Sequence, residues 1–156
     1  MRKQKGFSLI ELLIVVAIIL IIAAIAIPNL LKARISANQA SAVGSLRTIV
    51  TSEIQYQSSY GQYSGGLAAL GGAAPCVASS ATACLLDPVL SGGVKSGYTF
   101  TYTPGEKINN AIRSYTLTAV PDQVGTTGQR RFYSDESGEI HYNAAGPADS
   151  SSPVIQ

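Results

Sequence analysis

The chain is poor in the residues that build catalytic and metal centres. It has one histidine, His141, and two cysteines, Cys76 and Cys84, among 156 residues. A C-x7-C pair beside a lone His does not make a zinc set, and without C-x-x-C-H there is no covalent haem site. No nucleophile–base constellation, phosphate loop or EF-hand spacing is present. The chain therefore reads as a non-enzyme with no cofactor. Charge is scarce too. Asp, Glu, Lys and Arg make up 13% of the residues and apolar types 46%, whereas an ordinary soluble domain is about a quarter charged. Low charge with high apolarity is the reverse of the balance that keeps chains disordered.

What is present is concentrated. Nineteen of residues 7–27 are apolar, Leu12–Ile27 is an unbroken run of sixteen, and 52 of the 129 residues from Pro28 onward are apolar, an ordinary share. Arg2, Lys3 and Lys5 precede the run, and beyond Leu31 eight basic and eight acidic side chains cancel. A neutral domain gives no case for nucleic acid as a partner through bulk charge. A helix crossing a bilayer needs about 20 apolar residues, and the basic cluster is expected to stay cytoplasmic with the C-terminus outside. The competing reading is a removed secretory signal, because Ala24-Ile25-Ala26 has the form of a cleavage site. Against it stand the length of the run, beyond the usual ~7–15 residues, and Pro28 immediately after. Glu11 is the anomaly. A carboxylate in such a helix costs about 2.5–3.5 kcal/mol at the bilayer centre and calls for a partner, unless its place one turn inside lets it snorkel outward.

Lys5-Gly6-Phe7-Ser8-Leu9-Ile10-Glu11, with the apolar residues that follow, resembles the start of type IV prepilins and type II secretion pseudopilins, and Pro28 sits where those proteins commonly carry a proline. The resemblance covers about residues 1–35 and implies a class III signal peptide with the N-terminal methylation motif. On that basis a membrane prepilin peptidase cuts between Gly6 and Phe7 on the cytoplasmic face and methylates the new amino group of Phe7. Glu11 then pairs with the terminal amine of a neighbouring subunit. Gly6 has no side chain to hinder a protease, and neutralising a buried carboxylate offsets its desolvation. The implied partners are identical subunits in a helical filament, the peptidase, an inner-membrane assembly platform, and membrane lipid before assembly. The implied location is the inner membrane in a single pass, then an extracellular pilus. A type IV pilus subunit is the leading function and a major-type pseudopilin the second. A monomeric signal-anchored extracytoplasmic binding module is the alternative of another class.

The expected fold class is α+β, a pilin-like lollipop with a long helix on a four-stranded antiparallel sheet. Residues 1–6 are a cleaved leader and 7–28 a membrane-spanning or filament-core helix, with a kink or local unwinding at Pro28. Residues 29–58 continue as an amphipathic helix. Leu31, Ile35, Val43, Leu46, Ile49, Val50 and Ile54 form its apolar stripe; Lys32, Arg34, Asn38, Gln39, Ser45, Arg47 and Glu53 lie opposite. Residues 59–97, rich in Gly, Ala and Ser, read as an irregular connection with a helical turn near Leu67–Leu70. Cys76 and Cys84 are expected to pair there if the domain is exported. Strands are expected within 98–143, the last two joined by a turn at Asp135–Gly138, and 144–156 reads as a flexible tail.

Three further features carry competing readings. Asp135, Glu136 and Glu139 fit calcium ligation less well than solvated turn acidity. Arg130 and Arg131 could engage DNA, but adjacent strand residues face opposite ways. His141 reads as a half-exposed strand residue.

Overall fold

The computed structural model describes residues 6–155, so the expected leader, apart from Gly6, lies outside the described residues. Helix α1 runs from Leu9 to Tyr60 without interruption. Proline removes one N–H from the ladder and leaves the carbonyl four residues earlier without that donor; α1 nevertheless stays helical through Pro28, and no unwound stretch is found there.

The chain divides into two units, one ending at Arg34 and one beginning at Ile35. In the second unit, α1 contributes Ala42, Leu46, Ile49 and Tyr56 to the core. These positions recur every three or four residues and so lie on one helix face. The line passes through Ala42 and Glu53 rather than Val43 and Ile54: Val43 is only partly buried, and Ile54 is 60% exposed. Gly44 stands on the exposed side of this helix, at a cost of about 1 kcal/mol relative to Ala in a helix interior.

The sheet has five strands rather than four, in the order β1-β2-β5-β6-β7, every neighbour antiparallel. They are β1 (Val94–Lys95), β2 (Tyr98–Pro104), β5 (Tyr115–Pro121), β6 (Arg131–Asp135) and β7 (Ile140–Asn143); β3 (Lys107–Ile108) and β4 (Ala111–Ile112) form a separate small hairpin. Burial alternates along β5, so Tyr115, Leu117 and Ala119 enter the core with Tyr98 and Phe100 of β2, Phe132 of β6 and Ile140 of β7. The extra strand β1 turns into β2 through Ser96 and Gly97, both at positive φ (52° and 71°), the geometry of a tight hairpin turn.

Between helix and sheet, α2 (Leu67–Leu70) falls where the helical turn was expected, and α3 (Pro88–Ser91) is an additional turn. Asp87 caps α3 by accepting from the Val89 and Leu90 N–H groups, each at 3.0 Å, with Pro88 in the first turn, the favoured chemistry of a helix start. Cys76 and Cys84 form a disulfide with their Cα atoms 6.0 Å apart.

Two expectations fail for the same reason: polar groups are paired where they were read as solvated. Residues 144–156 are tied to the sheet. The Tyr142 N–H donates to the Pro153 carbonyl at 2.9 Å, the Ile155 N–H donates to the Ile140 carbonyl at 2.8 Å, and Ala148 is buried. Glu53, read as a solvent-facing residue, is 0% exposed. Its carboxyl group accepts from the Ser64 N–H at 3.0 Å and from the Ser64 hydroxyl, while the Tyr102 hydroxyl donates to the Ser64 carbonyl at 3.1 Å. Buried polar groups persist when their partners are supplied, and here one serine supplies two donors.

Removing that acceptor in Glu53→Ala strands the Ser64 N–H and opens a void. The expected loss is about 2–4 kcal/mol of unfolding free energy, with a smaller loss for Glu53→Gln. Denaturant titration of the detergent-solubilised chain measures both, and equal stability of all three chains would refute the pairing.

Burial also raises the tyrosines. It pushes Tyr98 from 10.0 up to about 12, against a smaller opposing effect of Arg130, and it pushes Tyr102 and Tyr115 up as well. A proton held more tightly in the folded state stabilises the fold below the unfolded pKa. Stability is therefore expected to hold up to about pH 10 and to fall as pH rises toward 12. The denaturation midpoint against pH, followed with tyrosinate absorbance, tests this; a flat midpoint across that window would contradict it.

Candidate functional site

The candidate site is the start of α1. Ser8 is the last residue before the helix, and its N–H donates to Glu11 Oε2 at 2.9 Å. The Leu12 N–H donates to the Ser8 carbonyl at 3.2 Å, closing the first turn. Ser8-Leu9-Ile10-Glu11 thus has the S-x-x-E form of a capping box, with the arm that reaches back from Glu in place. A carboxylate in the first turn also faces the positive end of the helix dipole, worth about 0.3–1 kcal/mol. The sequence reading treated Glu11 as a charge awaiting a partner and missed this local role; the S-x-x-E spacing before an apolar run was the available signal.

Beyond this polar start, the helix residues up to Leu31 are almost all apolar and exposed. Phe7 is 84% exposed. The described residues include one helix long and apolar enough to cross a membrane, with mean hydropathy 3.3 over its best 18-residue window and none of that window buried. Leaving one Leu or Ile side chain in water instead of apolar surroundings costs roughly 1.5–3 kcal/mol. A run of this length therefore needs a covering medium, lipid or protein. Gly6 is exposed and outside any regular element, and a Cβ placed on it meets nothing within 4 Å among the described residues. Gly6 and Phe7 thus precede the helix, Glu11 lies in its first turn, and Pro28 stands apart within the same helix.

The other candidates do not converge on chemistry. Asp135 Oδ1 accepts from the Ser137 N–H at 2.9 Å and its Oδ2 from the Tyr133 hydroxyl at 3.3 Å. Burial opposes ionisation of Asp135, but these bonds outweigh it and hold its carboxyl below the usual range. Glu139 Oε2 lies 3.8 Å from His141 Nε2. Among the described residues no three His, Cys, Asp or Glu side chains gather as a metal set. His141 is buried, at 6% exposure, rather than half-exposed, and its Nδ1–H donates to the Ser152 carbonyl at 2.7 Å. Arg130 lies over the Tyr142 ring with its guanidinium carbon 4.8 Å from the centroid, whereas Arg131 donates to the Gly146 carbonyl at 3.3 Å. The two arginines diverge and form no joint patch.

Comparison with known proteins follows the same division. Residues 1–27 match a family model described as the prokaryotic N-terminal methylation motif. The chain is 50% identical over 70 residues to the type IV wide pilus major component PilA4 of Thermus thermophilus, an overlap of 45% of this chain and 53% of that protein. It is 45% identical over 62 residues to the type IV major pilin protein PilA of Myxococcus xanthus, 40% of this chain and 28% of that one. The chain thus spans about half the length of the first relative and just over a quarter of the second.

Proposed function

We propose that this chain is the structural subunit of a type IV pilus, held in a membrane by residues 7–28 and drawn from there into the core of a filament. The observation that carries the proposal is the methylation motif, matched over residues 1–27, on a helix whose apolar side chains have no cover. A monomeric anchored binding module needs the apolar run but neither the Gly6–Phe7 junction nor Glu11. Both relatives named above are pilus proteins, which favours a pilus over a secretion pseudopilus.

In this reading the prepilin peptidase hydrolyses the Gly6–Phe7 bond with water, removing Arg2, Lys3 and Lys5, and a methyl group taken from an electrophilic methyl donor replaces one proton on the amine of Phe7, which stays cationic. The mature chain then has a cation and the Glu11 carboxylate within one turn of each other. In the bilayer Glu11 is served by the Ser8 N–H and by its own terminus. In the filament a neighbour's Phe7 amine supplies the countercharge, and a subunit out of register keeps an unpaired charge among apolar groups, at a cost of several kcal/mol. Moving the helix from lipid to protein neighbours gains little from hydrophobicity, because lipid tails are already apolar. Close packing, the ion pair and the assembly platform supply the drive.

Intact-mass and N-terminal peptide analysis of sheared fibres is expected to find a chain beginning with methylated Phe7; an intact Met1 or a start after Ala26 would refute the assignment. Glu11→Ala and Glu11→Gln separate pairing from capping, since Gln keeps a hydrogen-bond acceptor but not the charge. Both variants are expected to be processed and membrane-inserted yet to yield about tenfold fewer fibres, the equivalent of about 1.4 kcal/mol. Recovery of fibres in Glu11→Gln would assign Glu11 to the cap alone.

A further inference from the structure

Within the second unit, an open groove of about 380 Å³ runs between α1 and the start of β6. Ala40, Val43, Phe132 and Ile155 supply its apolar lining, and Arg47 and Arg130 flank it. None of its lining residues is acidic, and among the described residues neither guanidinium has a carboxylate within 4 Å. Arg130 is held by the Tyr142 ring. Stacking occupies the face of a guanidinium and leaves its in-plane N–H donors free for a carboxylate. Gly44 also lines the groove, and a Cβ placed on it meets nothing within 4 Å. A helix-weakening glycine here thus relieves no crowding among the described residues, and its bareness lets another surface come close.

The opposite charge sits elsewhere on the same unit. The β6–β7 turn carries Asp135, Glu136 and Glu139, the last two exposed. It lies beside α1 further along the helix, since a Cβ on Gly138 would sit 3.5 Å from Val50 Cγ1. Gly44 and Val50 are six residues apart, roughly 9 Å along a helix axis.

We propose that the groove receives the acidic β6–β7 turn of a second copy of this chain. The proposal rests on the pilin reading and names a contact surface for it. Two guanidinium groups meet three carboxylates, one of which, Asp135, also shapes the turn that presents the others. The basic and acidic side chains beyond Leu31 cancel, so it is the local pattern, not net charge, that attracts the second copy. Groove and turn are different surfaces offset along α1, so the contact is heterologous and repeats from copy to copy instead of closing as a symmetric pair.

The test is a charge exchange in cells that assemble the full chain. Arg47→Glu with Arg130→Glu, and separately Glu136→Arg with Glu139→Arg, are expected to cut sheared-fibre yield about tenfold while processed subunit stays at its normal level. Combining all four substitutions is expected to restore most of that yield. Full yield in either double variant, or no recovery in the combination while subunit levels hold, overturns the contact. A second measurement does not depend on these charges. Ser36→Cys with Ser137→Cys, treated in intact fibres with a short bismaleimide, is expected to give a ladder of covalent multimers. Monomers alone, or a product that stops at dimers, overturns the head-to-tail contact. Lack of any fibre from the unaltered chain would instead refute the pilin reading.

Discussion

The helix window in residues 9–31 has no cover for its apolar side chains, and the rest of the molecule's chemistry follows from that. Such a segment is tolerable in a bilayer or packed against copies of itself, and it would aggregate in water. Both environments are apolar, so the hydrophobic effect scarcely distinguishes them. On the proposed reading, whatever decides between lipid and filament has to be polar and has to lie at the edge of the apolar run. Glu11, four residues after Phe7 in sequence and in the first turn of α1, is an ionisable side chain that meets both conditions.

The bond from the Ser8 N–H to Glu11 does not compete with an ion pair. A carboxylate has two oxygens and about four acceptor sites, so one oxygen can serve the helix cap while the other meets an amine. The cap fixes the direction of the carboxylate before any neighbour arrives, which lowers the entropy lost when the pair forms. Dipole and cap both favour a negative charge at this point of the helix, and in the proposed mature chain an amine joins them in offsetting the cost of placing it beside an apolar run.

Strong periodic signals in the sequence were legible, and short or exceptional ones were not. The sixteen-residue apolar run, the alternating Tyr and Thr of β2 and the long amphipathic pattern of α1 were readable because many residues agree. Strand β1 has two residues, too few to show alternation, and its pairing with β2 depends on the turn at Ser96 and Gly97. Helix α3 has four residues, although its Asp87-Pro88 start was a usable sign. The order of residues 144–155 arises from backbone bonds to β7 that composition does not reveal. At the site, the methylation motif over residues 1–27 was plain, while the cap was hidden because Glu11 already had a more conspicuous reading.

Glu53 and Arg47 show why a polar face on a helix is not the same as a solvent face. Both occupy positions that amphipathicity assigns to water, and they are six residues apart. Glu53 is buried because Ser64 brings two donors to it. Arg47 borders a groove beside Arg130 and Gly44, and among the described residues no carboxylate lies within 4 Å of it. On the proposed reading, a self-assembling chain has reason to divide its charges this way. Pairs completed inside the subunit make it a stable unit, and pairs completed only by another copy make assembly specific. The low overall charge then acquires a use: with few charges on the surface, each unanswered one selects a neighbour more sharply than it would on a densely charged protein.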